Sequence, residues 1–496
     1  MREVLARIRS HAERRPGSPA VADELGDLCY GDLVQEIEVA AARRYGGRVG
    51  LLLENGRHWA VADLALARRG ALCVPMPGFF TDTQLGHLIG DADLDLIVTD
   101  DPGRVRGLAG GSEPSRIRLA GRDAWLFRRR PTARGTVPEG TAKVTYTSGT
   151  TGQPKGVCLT ADAIERTTIA LCEAVGADRS DRALSVLPLS TLLENIGGLY
   201  APLYAGARAQ VPGLATIGLD GSSGLQVGRL LEALARHAPT TLILVPQLLK
   251  ALVAAIAAGA PRPGSLRFVA VGGAPVSTAL LAEARAMGIP VFQGYGLSEA
   301  VSVVCLNLPG ADRAGSAGRP LPHVRVSLSD EGEVLVEGAG FLGYLGGDPH
   351  AGGVWPTGDL GRLDDDGFLH LAGRRKSAYA TAFGRNLAPE WVEGELASHP
   401  DIVQVAVFGE GRPFNAAVIV PRRPGSPGGI EAAVHAANIR LPDYARVGRW
   451  VLADEPFTPA NGLANGAGSP RREAVGHRYR DRIESLYEGE DQHVAL

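Results

Sequence analysis

Short apolar runs alternate repeatedly with runs of helical spacing along most of this chain. VGLLLENG at 49–56 has the pattern of a buried strand entering a turn, and HWAVADLALARRGALCVPM at 58–76 that of a helix, a glycine break and a strand. Beyond residue 156, ALSVLPL, TLILVPQLL, SLRFVAVGGAP and IPVFQGYG end in turns rich in Gly or Pro. Such alternation predicts parallel sheets with crossover helices, in which ligands bind at the carboxyl ends of strands.

The texture changes from about residue 318, where VRVSLSDEGEVLVEG and GRLDDDGFLHLAGR each predict a β-hairpin. Further on, WVEGELASHP predicts a helix, VQVAVFG and AAVIVP predict strands, and 422–429 predicts a mobile loop. We therefore predict an α/β fold in which residues 1–375 form a large domain of parallel-rich sheets with flanking helices and a β segment. Residues 376–496 are predicted to form a small, mobile α+β domain, because 496 residues exceed one ordinary core.

Composition narrows the class of protein further. Apolar residues make up 45% of the chain, and the net charge is −3 with both signs interspersed, which argues against a nucleic-acid-binding face. The sequence has no run of about 18 apolar residues, so no membrane span is predicted. The segment MREVLARIRSHAERRPG lacks the apolar core of a signal peptide. The five cysteines form no C-x-x-C pair, which predicts buried free thiols in a reducing cytoplasm. Only four residues are lysines: Lys143, Lys155, Lys250 and Lys376. Each of them is a candidate for a site that needs a compact ammonium, which the guanidinium of arginine cannot replace.

One loop, YTSGTTGQPKG at 146–156, has the residue types of a phosphate site. Its glycines let successive backbone N–H groups converge on one anion, its hydroxyls add donors, and Lys155 adds a point charge. It differs from a Walker A loop because Pro154 precedes the lysine and Gly156 follows it. A polar surface loop is the alternative for so short a motif taken alone. The predicted phosphate-binding residues are Thr147, Ser148, Gly149, Thr150, Thr151, Gly152 and Lys155.

Three further runs follow this loop in order: VGGAPVS at 271–277, GYGLSEA at 294–300 and TGDLGRLDDDGFLHLAGRRK at 357–376. With the loop, they resemble the adenylate-forming superfamily, which includes acyl-CoA synthetases, aryl-acid ligases, luciferases and nonribosomal-peptide adenylation domains. The resemblance covers nearly the whole chain and is closest to acyl-CoA synthetases. It implies ATP and Mg²⁺ as cofactors, coenzyme A as an acceptor, and rotation of the small domain about a hinge at Lys376.

The resemblance also implies roles for individual residues. Thr147, Lys155, Ser298 and Glu299 would be catalytic, with Ser298 at the α-phosphate and Glu299 holding Mg²⁺. Tyr295 would stack on adenine, Asp359 would accept hydrogen bonds from the ribose hydroxyls, and Arg374 would bind ribose or phosphate. The backbone around adenine would be formed by Gly272, Gly273, Ala274, Pro275 and Gly296. The acid pocket would be lined by Thr191, Glu194, Asn195, Gly197 and Leu297.

The small domain shows one further likeness and one departure. FGRNLAPEWVE at 383–393 is similar to the loop after the hinge in long-chain acyl-CoA synthetases, with Gly384 where the pantetheine arm passes. The family's lysine that contacts the substrate carboxylate and the α-phosphate aligns with Ser469, and no lysine follows Lys376. Arg471 is a nearby cation that could compensate. On the acid side, Thr191 stands where the family commonly has His or an aromatic residue.

We therefore expect an ATP-dependent, AMP-forming enzyme that activates a small or aromatic carboxylic acid for transfer to coenzyme A or an amine. Because both departures lie on the acid side, a second hypothesis is a diazotase that activates nitrite and converts an aromatic amine to a diazo compound. A nucleotide-binding pseudoenzyme is the third. The expected partners are a small-molecule acid, an acceptor and a carrier protein in trans, with no nucleic acid.

Overall fold

A computed structural model describes residues 1–43, 45–109, 113–130, 136–147, 154–220, 224–273, 276, 278–350, 352–374, 379–382, 384–387, 389–397, 399, 401–422, 427–458, 461–464 and 470–488. The chain forms two compact units. The large unit comprises Met1–Thr147 and Pro154–Arg375, and the small unit comprises Lys376–Leu496.

The strands of the large unit are β1 (Pro19–Asp23), β2 (Gly26–Cys29), β3 (Arg48–Leu52), β4 (Leu72–Pro75), β5 (Leu96–Thr99), β6 (Ser115–Leu119), β7 (Arg122–Arg128), β8 (Thr141–Thr147), β9 (Lys155–Thr160), β10 (Arg182–Leu184), β11 (Arg208–Gln210), β12 (Leu219–Asp220), β13 (Gly224–Leu225), β14 (Thr241–Leu244), β15 (Phe268–Val271), β16 (Val291–Tyr295), β17 (Cys305–Leu306), β18 (Arg319–Pro320), β19 (Arg325–Leu328), β20 (Glu333–Glu337), β21 (Phe341–Tyr344), β22 (Val354–Leu363) and β23 (Leu369–Arg374).

Its α-helices are α1 (Arg2–Arg14), α2 (Tyr30–Ala41), α3 (Arg57–Arg69), α4 (Asp82–Asp91), α5 (Pro102–Ala109), α6 (Ala161–Ala174), α7 (Leu192–Glu194), α8 (Ala201–Ala205), α9 (Val227–His237), α10 (Pro246–Ala257) and α11 (Thr278–Ala286). A π-helix, Asn195–Tyr200, joins α7 to α8, and 3₁₀ helices span Leu214–Ile217 and Ser298–Ala300.

Two large sheets carry the large unit. The nine-stranded sheet has the order β18-β17-β16-β15-β14-β10-β11-β1-β2, and its six central strands from β16 to β1 are parallel. The eight-stranded sheet has the order β21-β9-β8-β4-β3-β5-β7-β6, with parallel pairing from β8 to β5. These sheets, together with flanking helices, confirm the predicted α/β fold class.

The largest core lies where residues from both large sheets cluster, including Val49 on β3, Ala209 on β11 and the fully buried Trp59 on α3. The sequence predicts α3 well: its alanines and leucines favour a helix, and Gly70 ends it with a φ of 68°, which glycine adopts without strain. Burial on this scale excludes water from the strands that lead to the site.

The predicted hairpins are confirmed. β19 and β20 pair antiparallel across a turn in which the Gly332 N–H donates to the Ser329 carbonyl at 2.9 Å. β22 and β23 pair across a turn closed by a bond from the Gly367 N–H to the Asp364 carbonyl. Both belong to a four-stranded sheet with the order β19-β20-β22-β23.

The small unit contains β24 (Tyr379–Ala380), β25 (Asn386–Leu387), β26 (Ile402–Phe408), β27 (Asn415–Pro421), β28 (Val447–Leu452), α12 (Pro389–Ala397), α13 (Pro427–Arg440), a 3₁₀ helix (Asp443–Ala445), α14 (Arg472–Arg478) and α15 (Arg480–Ser485). The order β26-β27-β28 with flanking helices confirms the predicted α+β character. The loop predicted for 422–429 is too long, because Pro427, whose fixed φ suits a first helical turn, begins α13.

Four of the five cysteines are buried and all are free, as predicted: Cys29 is the partly exposed one, and its thiol donates to Asp32. Among the described residues, no helix has the length and apolar character needed to cross a membrane.

Candidate nucleotide and acid site

The carboxyl ends of β14, β15 and β16 meet at one edge of the nine-stranded sheet, where the sequence places the adenine loop. The Gly272 N–H donates to the Leu244 carbonyl at 3.2 Å, and a Cβ on Gly272 would lie 3.0 Å from the Gly294 carbonyl oxygen. Gly273 has a φ of 81°. A side chain at Gly272 would crowd this close passage of two backbones, and the positive φ of Gly273 is one that glycine adopts without strain. Ala274 and Pro275 lie outside the described residues.

Gly296 fixes the turn that presents Ser298 and Glu299. A Cβ at Gly296 would lie 1.4 Å from the Ser302 carbonyl oxygen, so no other residue fits. Val301 and Ser302 have φ values of 54° and 82°, in a region that such residues rarely adopt. Backbone strain of this kind is concentrated at functional sites. The preceding residue, Leu297, is extended, and the 3₁₀ helix Ser298–Ala300 follows it.

Tyr295 and Asp359 contact each other, although 64 residues separate them. The Tyr295 hydroxyl donates to Oδ2 of Asp359 at 2.7 Å, and Asp359 is 7% exposed. The Asp359 N–H donates to Oγ1 of Thr357 at 3.1 Å, and the preceding Gly358 N–H donates to Oε1 of Glu333 at 2.9 Å. The structure thus brings the predicted adenine and ribose residues together. Arg374 is the backbone partner of Asp359 in the β22–β23 register, and its side chain lies outside the description.

Lys155 and Glu299 both contact Tyr344. The Tyr344 hydroxyl donates to Oε1 of Glu299 at 2.7 Å, and the Lys155 ammonium lies 5.6 Å from the centroid of the Tyr344 ring. Lys155 is exposed and begins β9, where it pairs with Thr147 at the end of β8. The predicted phosphate-binding loop therefore starts and ends at two paired residues. Ser148, Gly149, Thr150, Thr151 and Gly152 lie outside the described residues.

The segment that carries the predicted acid pocket is held from the eight-stranded sheet. The Asn55 amide donates to the Leu187 carbonyl at 2.9 Å, and its oxygen accepts from the Leu189 N–H at 2.8 Å. The Thr191 hydroxyl donates to the Pro188 carbonyl at 2.7 Å, so that it caps the local turn. These bonds use both the nitrogen and the oxygen of the Asn55 amide and fix the backbone that leads into the π-helix.

Glu194 is fully buried at the start of the π-helix. Neither of its carboxyl oxygens makes a hydrogen bond of normal geometry with a described residue, and the same holds for the nearby Ser185 hydroxyl. Burial raises the pKa of Glu194 to about 8, although interactions with Ser185 and the Leu187 backbone partly oppose this. At neutral pH the group is therefore mainly a neutral carboxylic acid. Its part in an acid pocket stays a prediction.

Asn195 belongs to a buried polar network centred on Lys143. The Lys143 ammonium donates to Oδ1 of Asp63 at 2.8 Å, to the Tyr200 hydroxyl at 2.9 Å and to the Asn195 amide oxygen. The Tyr200 hydroxyl donates in turn to Asp63, and the Cys73 thiol also donates to Asp63, at 3.4 Å. All three ammonium protons therefore have acceptors, which a buried charge requires. The network joins β8 and α3 to the π-helix.

Gly197 lies against β14, because a Cβ there would be 2.5 Å from Cδ1 of Ile243. Ile243 on β14, Ala270 on β15 and Phe292 on β16 are partly accessible, although their strands are central in the sheet. Residues on the opposite face of the same strands are buried in a separate core. An accessible apolar surface therefore lies beside the π-helix.

In the small unit, two neighbouring arginines differ in their contacts. Arg472 makes a two-pronged ion pair with Glu393 at 2.8 and 2.9 Å, while Arg471 is exposed. Gly384 has a φ of 69° in the turn between β24 and β25. Lys376 and Ser469 lie outside the described residues, so the hinge and the replaced lysine stay predictions.

Several residues of the site carry no sequence motif of their own. Tyr344, Asp63, Tyr200 and Asn55 join the site through contacts between distant segments. The rarity of lysine was a usable signal for Lys143, since a retained lysine in this chain marks a place where arginine does not substitute.

Comparisons with known proteins agree with this geometry. Residues 8–345 match the family described as AMP-binding enzyme, and residues 379–491 match the AMP-binding enzyme C-terminal domain. The chain is 27% identical to the long-chain-fatty-acid–CoA ligase FadD15 of Mycobacterium bovis, over 90% of this chain and 88% of that protein. It is 29% identical to the 2-succinylbenzoate–CoA ligase of Bacillus velezensis, over 81% and 84% of the two chains. The amide bond synthetase McbA of Marinactinospora thermotolerans superimposes with a TM-score of 0.75 at 25% identity, covering 96% of this chain and 99% of that one. The chain therefore belongs to the AMP-binding enzyme family of ATP-dependent, AMP-forming ligases.

Proposed function

We propose that this enzyme activates a small or aromatic carboxylic acid as its acyl-adenylate and transfers the acyl group to coenzyme A or an amine. The proposal rests on two groups of contacts: Asp359 with Tyr295, and Tyr344 with both Glu299 and Lys155. The short segment 295–299 joins the first group to the second. A nucleotide along this turn has its ribose at the Asp359 carboxylate and its phosphates between Lys155 and Glu299. The relatives named above act on carboxylic acids by their names, which supports this reading over nitrite.

Mg²⁺ fits the Glu299 position as an ion shared with the nucleotide. Mg²⁺ prefers oxygen ligands and is commonly held by one or two carboxylates together with substrate phosphates. Among the described residues there is no cluster of three or more metal-ligating side chains, so a metal here would depend on phosphate oxygens for the rest of its coordination. When bound, the ion neutralises phosphate charge.

In the proposed reaction a carboxylate oxygen of the acid forms a bond to the α-phosphorus, and the bond from that phosphorus to the β-bridging oxygen breaks. Pyrophosphate leaves with the electron pair, and Lys155 compensates part of its charge. Positioning and electrostatic compensation are what such a transfer needs from the protein. The thiol of coenzyme A or an amine then attacks the acyl carbon, loses its proton and releases AMP.

The surface beside the π-helix supports a small apolar or aromatic acid. Its walls are Gly197, Ile243, Ala270 and Phe292, none of which bears a charge. Thr191, at the entry to this segment, supplies a hydroxyl that is already bonded to Pro188. An acid held here would therefore be recognised mainly by shape and apolar contact. A carrier protein in trans is a further candidate acceptor, and the free buried cysteines support a reducing cytoplasm as the location.

The test is pyrophosphate release with ATP, Mg²⁺ and a panel of aryl acids, short fatty acids and nitrite, with and without an aromatic amine. We expect release that depends on a carboxylic acid and is lost in Lys155→Ala. Release that requires both nitrite and the amine would replace the proposal with the diazotase hypothesis. ATP binding without release for any member of the panel would support the pseudoenzyme instead.

A further inference from the structure

Tyr344 is placed by strand pairing beside the start of the phosphate-site strand. It ends β21, which runs antiparallel to β9, and it is the register partner of Val157, two residues from Lys155. The ring also packs near Phe341 and Trp355, with centroids 5.2 and 6.2 Å away, so these two aromatic neighbours help to fix its position. A side chain fixed in this way can hold other groups in place.

The two charged groups beside Tyr344 are of opposite sign, and each contacts a different part of it. Glu299 accepts a hydrogen bond from the Tyr344 hydroxyl, whereas Lys155 lies over the ring face, within the range of a cation–π contact. Within the described part of the chain, Lys155 and Glu299 form no direct ion pair. Two such charges at 4 Å attract by about 1 kcal/mol in water and about 4 kcal/mol near a protein surface. A direct ion pair would occupy both charges, and in this structure each of them contacts Tyr344 instead.

We propose that Tyr344 is a positioning residue that keeps Lys155 and Glu299 apart and available to the nucleotide. Its hydroxyl fixes the Glu299 carboxylate, and its ring holds the Lys155 ammonium at a distance from that carboxylate. The inference rests on the proposed function, because the phosphate and Mg²⁺ roles of Lys155 and Glu299 belong to that proposal.

The two contacts can be removed separately. Tyr344→Phe removes the hydrogen bond to Glu299 and keeps the ring beside Lys155. Tyr344→Leu deletes both contacts and opens the space between the charges. The matched control is Tyr204→Phe, because Tyr204 also donates to a glutamate, Glu3, at 3.0 Å in the same unit. Equal melting temperatures for Tyr344→Phe and Tyr204→Phe would exclude a general loss of folding.

The first measurement is equilibrium binding of ATP, once with Mg²⁺ and once with EDTA. We expect Tyr344→Phe to weaken binding about tenfold with Mg²⁺, which corresponds to about 1.4 kcal/mol and to one hydrogen bond to a charged group. With EDTA we expect a change of less than about twofold, because the Glu299 carboxylate acts through the metal. Equal losses under both conditions, or no loss with Mg²⁺, would overturn the proposal.

The second measurement reports on the Lys155 ammonium directly. Acetylation by a water-soluble anhydride, followed by mass spectrometry, separates the four lysines, and Lys250 on α10 serves as the internal reference. We expect Tyr344→Leu to lower the reactivity of Lys155 about fivefold, since an ammonium held in a new ion pair with Glu299 is less available to the anhydride and an exposed ion pair contributes up to about 1 kcal/mol. Adding Glu299→Gln should restore it. Unchanged reactivity in Tyr344→Leu would refute the separating role of the ring.

These measurements need no acid substrate, so they fail or succeed independently of the proposed reaction. If they give the expected results while no acid supports pyrophosphate release, the reaction is wrong and the role of Tyr344 stands. If an acid does support release but neither measurement responds to Tyr344, the reaction stands and this inference is wrong.

Discussion

Glu194→Gln tests whether the carboxyl buried at the π-helix carries a proton in the folded protein. Burial raises the pKa of Glu194 from 4.5 to about 8. Between these values the folded protein keeps a proton that the unfolded chain has released, so the free energy of unfolding falls as the pH rises from about 4.5 to about 8. Above about 8 both states are ionised and the loss is constant, and below about 4.5 the group contributes nothing.

The magnitude follows from the shift. At about 1.4 kcal/mol per pKa unit, the carboxyl lowers the free energy of unfolding by about 2 kcal/mol at pH 6, about 3 kcal/mol at pH 7 and at most about 5 kcal/mol above pH 8. Glutamine has nearly the same shape and no proton to lose. We therefore expect Glu194→Gln to be more stable than the wild type, with a gain that grows with pH across this window.

The assay is urea unfolding followed by tryptophan fluorescence at pH 5, 6, 7 and 8, without nucleotide. The control is Glu232→Gln on α9, because Glu232 is exposed and its carboxylate is solvated in both states. A stability difference between Glu194→Gln and the wild type that stays constant across this pH range would refute the reasoning. A difference that shrinks with rising pH would refute it as well.

Three further variants test the site. Gly296→Ala should abolish ATP binding and lower the melting temperature, because its Cβ would overlap the Ser302 carbonyl. The control is Gly228→Ala on α9, whose Cβ meets nothing within 4 Å and should stabilise the helix by about 0.5–1 kcal/mol. Asp359→Asn should raise the KM for ATP roughly tenfold to hundredfold and leave that for the acid nearly unchanged, since a hydrogen bond to a charged group contributes about 1.5–3 kcal/mol; equal changes in both KM values would point to unfolding. Ser469→Lys should speed pyrophosphate release with a carboxylic acid, and no gain with any acid would count against an ordinary carboxylate substrate.

The sequence predicts those parts of the fold that depend on local pattern. Apolar alternation around α3 and β4, with Gly70 between them, has a short-range cause, and so has the turn at Gly332. The π-helix was not predicted, because NIGGLY has the composition of an ordinary glycine-rich helix and no local signal for a wider turn. Local pattern therefore gives the type of element but not its exact winding.

Contacts within the site divide in the same way. Gly296 is recognisable from the sequence because the backbone around it excludes a Cβ, and Glu299 is recognisable because it belongs to the GYGLSEA motif. The bond from Tyr344 to Glu299 spans 45 residues and joins the edge strand β21 to the turn after β16, so it exists only once two sheets have assembled. No spacing rule within the chain relates those two positions.

The buried network of Lys143 has a consequence for how the large unit opens. Lys143 belongs to the eight-stranded sheet, Asp63 to α3, and Asn195 and Tyr200 to the π-helix that packs on the nine-stranded sheet. Any partial opening that moved the π-helix away from the eight-stranded sheet would leave the buried Lys143–Asp63 pair without its hydrogen bonds to Asn195 and Tyr200, and each buried group left without its partner costs about 1–3 kcal/mol. Slow amide hydrogen exchange in the two sheets should therefore have a common free energy, because neither sheet can open to solvent while the other stays folded.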